Sequence, residues 1–138
     1  MSRAAGKITV DFVKAINKAV TNKVYRDSEL NITNLTSALD RPGNREYMCE
    51  KYRMPTPSVA ELAASLAFGL TKNHAFPDGN KRTTHRTVEE FLKVYGYRFS
   101  SGGDQEIEDA HLKVANGEIG DDEELAKIYA KHIKKAHK

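Results

Sequence analysis

Between Val59 and Asn73 the chain reads VAELAASLAFGLTKN, with Leu62, Leu66, Phe68 and Leu70 set among alanines so that nearly every side is apolar. A helix without a polar face has to be covered all round. Ser58 followed three residues later by Glu61 forms a capping box that fixes where this helix begins. The remaining chain must supply amphipathic elements to wrap it, and its periodicity does so. Val13, Ile16 and Val20 predict a helix from Val10 to about Asn22, packed on the outside. Thr84, Val88, Phe91, Leu92 and Tyr95 share a stripe that stops at Gly96, a suitable residue just past a helix end. Two more helices are expected over about Asp104 to Asn116 and about Asp121 to Lys134, the second opened by the cap-like pair Asp121 and Glu124.

Leu35 to Leu39 reads as a short helical turn. Arg41 to Pro57, which holds both Pro and Gly, reads as the one long irregular segment, the kind of loop that carries function in a compact domain. Strand signals are confined to Tyr97 to Phe99 and parts of that loop. The expected fold class is mainly α, a compact helical bundle around a buried central helix, in a single domain over residues 1–138.

Cys49 is the only cysteine, which excludes an intramolecular disulfide and a Cys-based zinc cluster and makes a reduced, cytoplasmic setting the expectation. The net charge of +3 is mild, and the basic run from Lys131 to Lys138 reads as a solvated helix end. No basic face with interleaved aromatics appears, so nucleic acid is not expected as a partner. The longest nearly apolar run, Leu62 to Leu70, falls well short of the roughly 20 residues a membrane span needs, so no membrane partner is expected either. Neither a signal peptide nor an internal repeat is evident.

The central helix runs into His74 to Arg82, HAFPDGNKR. Pro77 cannot extend a helix, Asp78-Gly79 is a strong turn pair, and apolar periodicity resumes from Thr84, so a new helix starts close to Asn80. The first N–H groups of a helix lack intrahelical partners and carry the positive end of its dipole, which makes an anion site. Gly79 lets the backbone approach that anion, Lys81 adds a compact charge, and Arg82 adds a bidentate fork. Asp78 repels phosphate unless a divalent cation lies between them, and an oxygen-ligated Mg²⁺ suits that role. His74, with an imidazole that ordinarily titrates at about 6.5, is the candidate general base. Phe76, alternate to His74, is expected to turn inward as core. Asp78 and Asn80 each have a second reading as helix caps. A P-loop is excluded, because Gly79 is followed by Asn80 and no Gly lies five residues earlier. His111, His132 and His137 show no metal-ligand spacing and read as exposed helix positions.

This segment closely resembles the Fic/Doc family signature H-x-F-x-[D/E]-G-N-x-R, matched by His74, Phe76, Asp78, Gly79, Asn80 and Arg82. The nucleotidyl-transferring version continues as G-R-x-x-R. Here Lys81 stands at the Gly and His85 at the second Arg, departures similar to the Doc (death on curing) branch. Tyr25 to Gly43, Val59 to His74 and Val114 to Ile128 are also similar to Doc-type runs. The resemblance implies a Fic/Doc-type bundle with a flap-like loop or short hairpin, and Arg41 to Pro57 is similar in position to that flap. It further implies a Doc-like transferase that moves a phosphate from ATP to a Ser or Thr hydroxyl of a target protein. His74 would take the proton, Asp78 would hold Mg²⁺, and Gly79, Asn80, Lys81 and Arg82 would bind phosphate. Such proteins are toxins acting on translation, with elongation factor Tu as a candidate target and an antitoxin as candidate inhibitor. The alternatives are a Fic-type nucleotidyltransferase (AMPylation or another NMPylation) and a non-catalytic interaction domain; the intact His74, Asp78, Asn80 and Arg82 speak against the second. The internal inhibitory run [S/T]-x-x-x-E-[G/N] is missing, Thr36 to Arg41 coming nearest, so inhibition is expected from another molecule. Arg86 lies about 100° round the helix from His85 and is not expected to replace the second Arg.

Overall fold

A computed structural model describes residues 7–136. Its core is α3 (Val59–Asn73), reached after α1 (Val10–Thr21) and α2 (Ile32–Lys51) and followed by α4 (Asn80–Val94), α5 (Asp104–Ala115) and α6 (Asp122–His132). Helix α3 packs against α2, α4, α5 and α6, and buries Leu62, Leu66 and Leu70 together with its small residues. Its start is the expected capping box: the Ser58 hydroxyl accepts from Glu61 N–H at 3.1 Å and the Glu61 carboxylate accepts from Ser58 N–H at 3.0 Å. That backbone hydrogen bond, reinforced by Arg45, holds the Glu61 carboxyl below its ordinary pKa. Helix α1 lies against α4 and α2, as an outer helix should.

The expected irregular segment over Arg41 to Pro57 is mostly helix. Helix α2 runs for 20 residues straight through Pro42 and Gly43, which leaves residues 52–58 as the irregular remainder. Proline inside a helix removes one backbone bond and crowds the preceding turn, so tertiary contacts must offset it. Leu35, Ala38 and Pro42 form one buried stripe, and arginines on either side of the proline tie α2 down. Arg41 Nε donates to Ser65 O at 2.8 Å and its Nη2 meets Asp122 at 3.1 Å. Arg45 reaches Glu61 at 3.1 Å and Asp122 at 3.4 Å. The two helices approach so closely that a Cβ on Gly69 would lie 2.4 Å from Arg41 Cδ. No strand falls in this segment among the described residues, so no hairpin forms there and the loop is confined to residues 52–58.

The sole sheet among the described residues is two-stranded. Strand β1 (Tyr97–Phe99), at its expected position, pairs antiparallel with β2 (Ile133–Lys135), Phe99 opposite Ile133. The basic C-terminal run therefore leaves helix at His132 and continues as an edge strand; His137 and Lys138 lie outside the described residues. Two further histidines depart from expectation. His111 is 2% exposed and its Nε2 hydrogen-bonds the hydroxyl of the fully buried Tyr129, while His132 meets Glu106 at 3.1 Å. Burial pushes the His111 pKa down to about 3, helped by the nearby His85 and Lys81, and raises that of Tyr129.

Candidate active site

Residues 74–79 link the buried α3 to α4, and backbone and side-chain amides from three directions fix their path. His74 caps α3 in the left-handed conformation, φ 40°, which turns its exposed side chain off the helix. From α2, Asn31 N–H donates to Ala75 O at 2.9 Å, and Asn34 and Asn73 exchange side-chain to backbone bonds of 3.1 and 2.9 Å. From α1, the buried Asn17 donates through Nδ2 to Asp78 O at 2.9 Å and to Thr83 Oγ1 at 3.1 Å. From α4, Asn80 turns its amide back so that Oδ1 accepts from Phe76 N–H at 3.1 Å and Nδ2 donates to Phe76 O at 2.6 Å. Phe76 itself is core at 7% exposure, as expected.

This use of Asn80 leaves its backbone, rather than its amide, available to an anion, and it is not the helix cap. Gly79 is the cap, with φ 75° and no side-chain hydrogen bond. Its lack of a side chain serves packing as well as approach, since a Cβ would lie 2.3 Å from Thr21 Cγ2 of α1. The first α4 bond runs from Thr83 N–H to Gly79 O at 2.9 Å. The N–H groups of Asn80, Lys81 and Arg82 thus precede the ladder, at the positive end of the dipole. No acidic residue occupies this first turn; Lys81 and Arg82 do, against the dipole. Neither cation, nor Arg86 one turn on, has a carboxylate partner among the described residues.

Asp78 through Arg82 line one depression of about 670 Å³ with Val20, His85, Arg86, Glu108 and His111. His74 lines a second one, about 610 Å³, with Asp27, Glu29, the α2 start at Asn31 to Thr33, and the loop. His74 and the cations of the α4 start thus line separate depressions, connected through the 75–79 loop. Asp78 Oδ1 accepts from Gly79 N–H at 2.8 Å, and Oδ2 faces Lys23 Nζ at 3.6 Å, an exposed pair that a divalent cation can displace. Among the described residues no group of three His, Cys, Asp or Glu side chains could hold a metal. One carboxylate plus phosphate oxygens and water is a donor set that suits Mg²⁺. His85, Arg86, Glu108 and the four asparagines were not singled out as site residues by sequence. For Asn17 a signal existed: it is an amide on the apolar stripe of Val13 and Val20.

A buried helix, a pinned turn and a cation-rich helix start define a helical domain with a candidate anion site. The Fic/DOC family model matches residues 7–92, which include α3, the turn and most of α4, and the chain belongs to that family. The match stops within α4, so α5, α6 and β2 lie outside it. The curated Toxin Doc of Mycolicibacterium smegmatis is 34% identical over 70 residues, 51% of this chain and 51% of that protein. The chain spans about half the length of this relative.

Proposed function

We propose that the protein is a Doc-like phosphotransferase that moves the γ-phosphate of ATP to a Ser or Thr hydroxyl of a protein target, as the toxin of a toxin–antitoxin pair. The observation that carries this reading is a short loop, residues 75–79, that joins an exposed His74 at the end of α3 to three N–H groups and two cations without carboxylate partners at the start of α4. His74 takes the hydroxyl proton as the hydroxyl oxygen bonds to phosphorus, and ADP departs. The N–H groups of Asn80, Lys81 and Arg82, with the Lys81 and Arg82 side chains, neutralise charge on the transferred group, the kind of positioning on which phosphoryl transfer depends. Mg²⁺ at Asp78, when bound, supplies further neutralisation of the phosphate oxygens. The depression around His74 receives the target. An antitoxin is the proposed inhibitor and elongation factor Tu a candidate target. No helix among the described residues is long and apolar enough to cross a membrane; a cytoplasmic setting is part of the proposal.

Lys81 is what favours phosphate over nucleotide transfer, because its long side chain crowds the position where the nucleotidyl-transferring signature has Gly. Arg86 favours the second reading, AMPylation, because it lines the same depression and offers a grip on far phosphates. ATP labelled on either phosphate decides. Label arriving from the γ-position supports the phosphotransferase; label arriving from the α-position replaces it with the nucleotidyltransferase.

A further inference from the structure

Arg82 and Arg86 stand four residues apart on α4, so their side chains are neighbours on its surface. Both are exposed, both line the depression with Lys81, and no carboxylate pairs with either among the described residues. Like charges at this spacing disfavour the helix that carries them. Glu108 of α5 lines the same depression without closing an ion pair to either one.

The residue at the usual second-arginine position is engaged elsewhere. The His85 ring packs against Phe99, centroids 5.9 Å apart, and edge-on to His111 at 6.0 Å. Its Nε2 faces Glu89 at 3.8 Å and Asp104 at 4.0 Å, and its Nδ1 is buried without a partner. An imidazole so clamped, with carboxylates on its outer edge, is a poor contact for phosphate. Arg86 is not clamped.

We propose that Arg86 is a second phosphate-binding residue, so that α4 grips a polyphosphate at two points along its exposed face. The first point is the N–H cluster with Arg82; the second lies one turn further on, at Arg86. Four residues rise about 6 Å along a helix, a separation that the first and third phosphates of a triphosphate chain span and a single phosphate does not. The ligand class is therefore a triphosphate chain, as in a nucleoside triphosphate, rather than a monophosphate. This rests on the reading of the α4 start as a phosphate site, and it holds whichever end of the triphosphate lies beside His74.

The test is calorimetric titration of the full chain with orthophosphate, pyrophosphate and tripolyphosphate, at fixed magnesium, for the unmodified protein, Arg82→Gln, Arg86→Gln and Arg86→Lys. Arg86→Gln is expected to weaken tripolyphosphate binding by about tenfold or more, as loss of a charge-assisted contact does. It should change orthophosphate binding less than about twofold and leave the thermal midpoint no lower, since Arg86 has no partner to lose. Arg86→Lys should recover part of the tripolyphosphate affinity. Tripolyphosphate binding that depends on Arg82 and not on Arg86 overturns this inference alone. An equal loss for all three anions also overturns it, by reducing Arg86 to a contributor to the general field. Absence of any Arg82-dependent binding removes the phosphate site and this inference with it.

Discussion

His74 occupies a backbone conformation that favours glycine, φ 40° at the end of α3. Holding a non-glycine residue in the left-handed region costs on the order of 1 kcal/mol. His74→Gly should therefore raise the free energy of unfolding by up to about 1 kcal/mol while abolishing transfer to the target, measured by urea unfolding and labelled-ATP assays. A variant that stays active, or one that loses stability, contradicts the base assignment. Phe76→Ala should behave oppositely and lose roughly 3 to 5 kcal/mol, as truncation of a buried aromatic does. At His111 the sign follows from burial. The imidazole stays neutral in the fold down to about pH 3, whereas in the unfolded chain it takes a proton below about 6.5. Its contribution is complete above that value and is lost as pH falls toward the lower one, with a slope on the order of 1 kcal/mol per pH unit. His111→Phe should flatten the thermal midpoint between those two limits, and an unchanged slope would assign the acid sensitivity elsewhere.

At the scale of elements, α2 and the turn before α4 show what decides local structure. Pro42-Gly43 is a breaker by any local rule, yet α2 continues because Arg41 and Arg45 find Ser65, Glu61 and Asp122. Those partners lie 16 to 81 residues away, so no window on α2 contains the reason for the helix. The starts of α3, α4 and α6 were legible because their signals, a capping box, Asp-Gly and Asp121 with Glu124, are local. Removal of residues 44–52 takes away the second half of α2 together with Arg45, and should abolish cooperative unfolding rather than impair target recognition alone. A deletion variant with a sharp thermal transition would restore the loop reading. Asn17→Ala tests the tie between α1 and the turn: loss of its bonds to Asp78 and Thr83 should cost about 1 to 3 kcal/mol and weaken phosphate binding at a site it does not touch. Unchanged binding would mean that the turn holds its shape without α1.

For the whole molecule, the sequence reveals the chemistry and conceals its support. HAFPDGNKR is contiguous, so its base, turn and cations can be read together. The amides that hold it come from Asn17, Asn31 and Asn34, single residues whose partners are 39 to 66 positions distant or defined only by the folded loop. Strand β2 was hidden because Ile133-Lys134-Lys135 continues a helical periodicity and becomes a strand only beside β1. The angle of Arg86 round the helix conceals its place at the depression, because an arginine is long and the depression broad. The two depressions on either side of the 75–79 loop carry one more consequence, for the order of events in catalysis. If ATP enters by the α4 side and the hydroxyl by the His74 side, neither reactant blocks the other. Initial-rate plots at several concentrations of each should intersect, as for random addition to a ternary complex, and ADP should leave without waiting for the modified protein to dissociate.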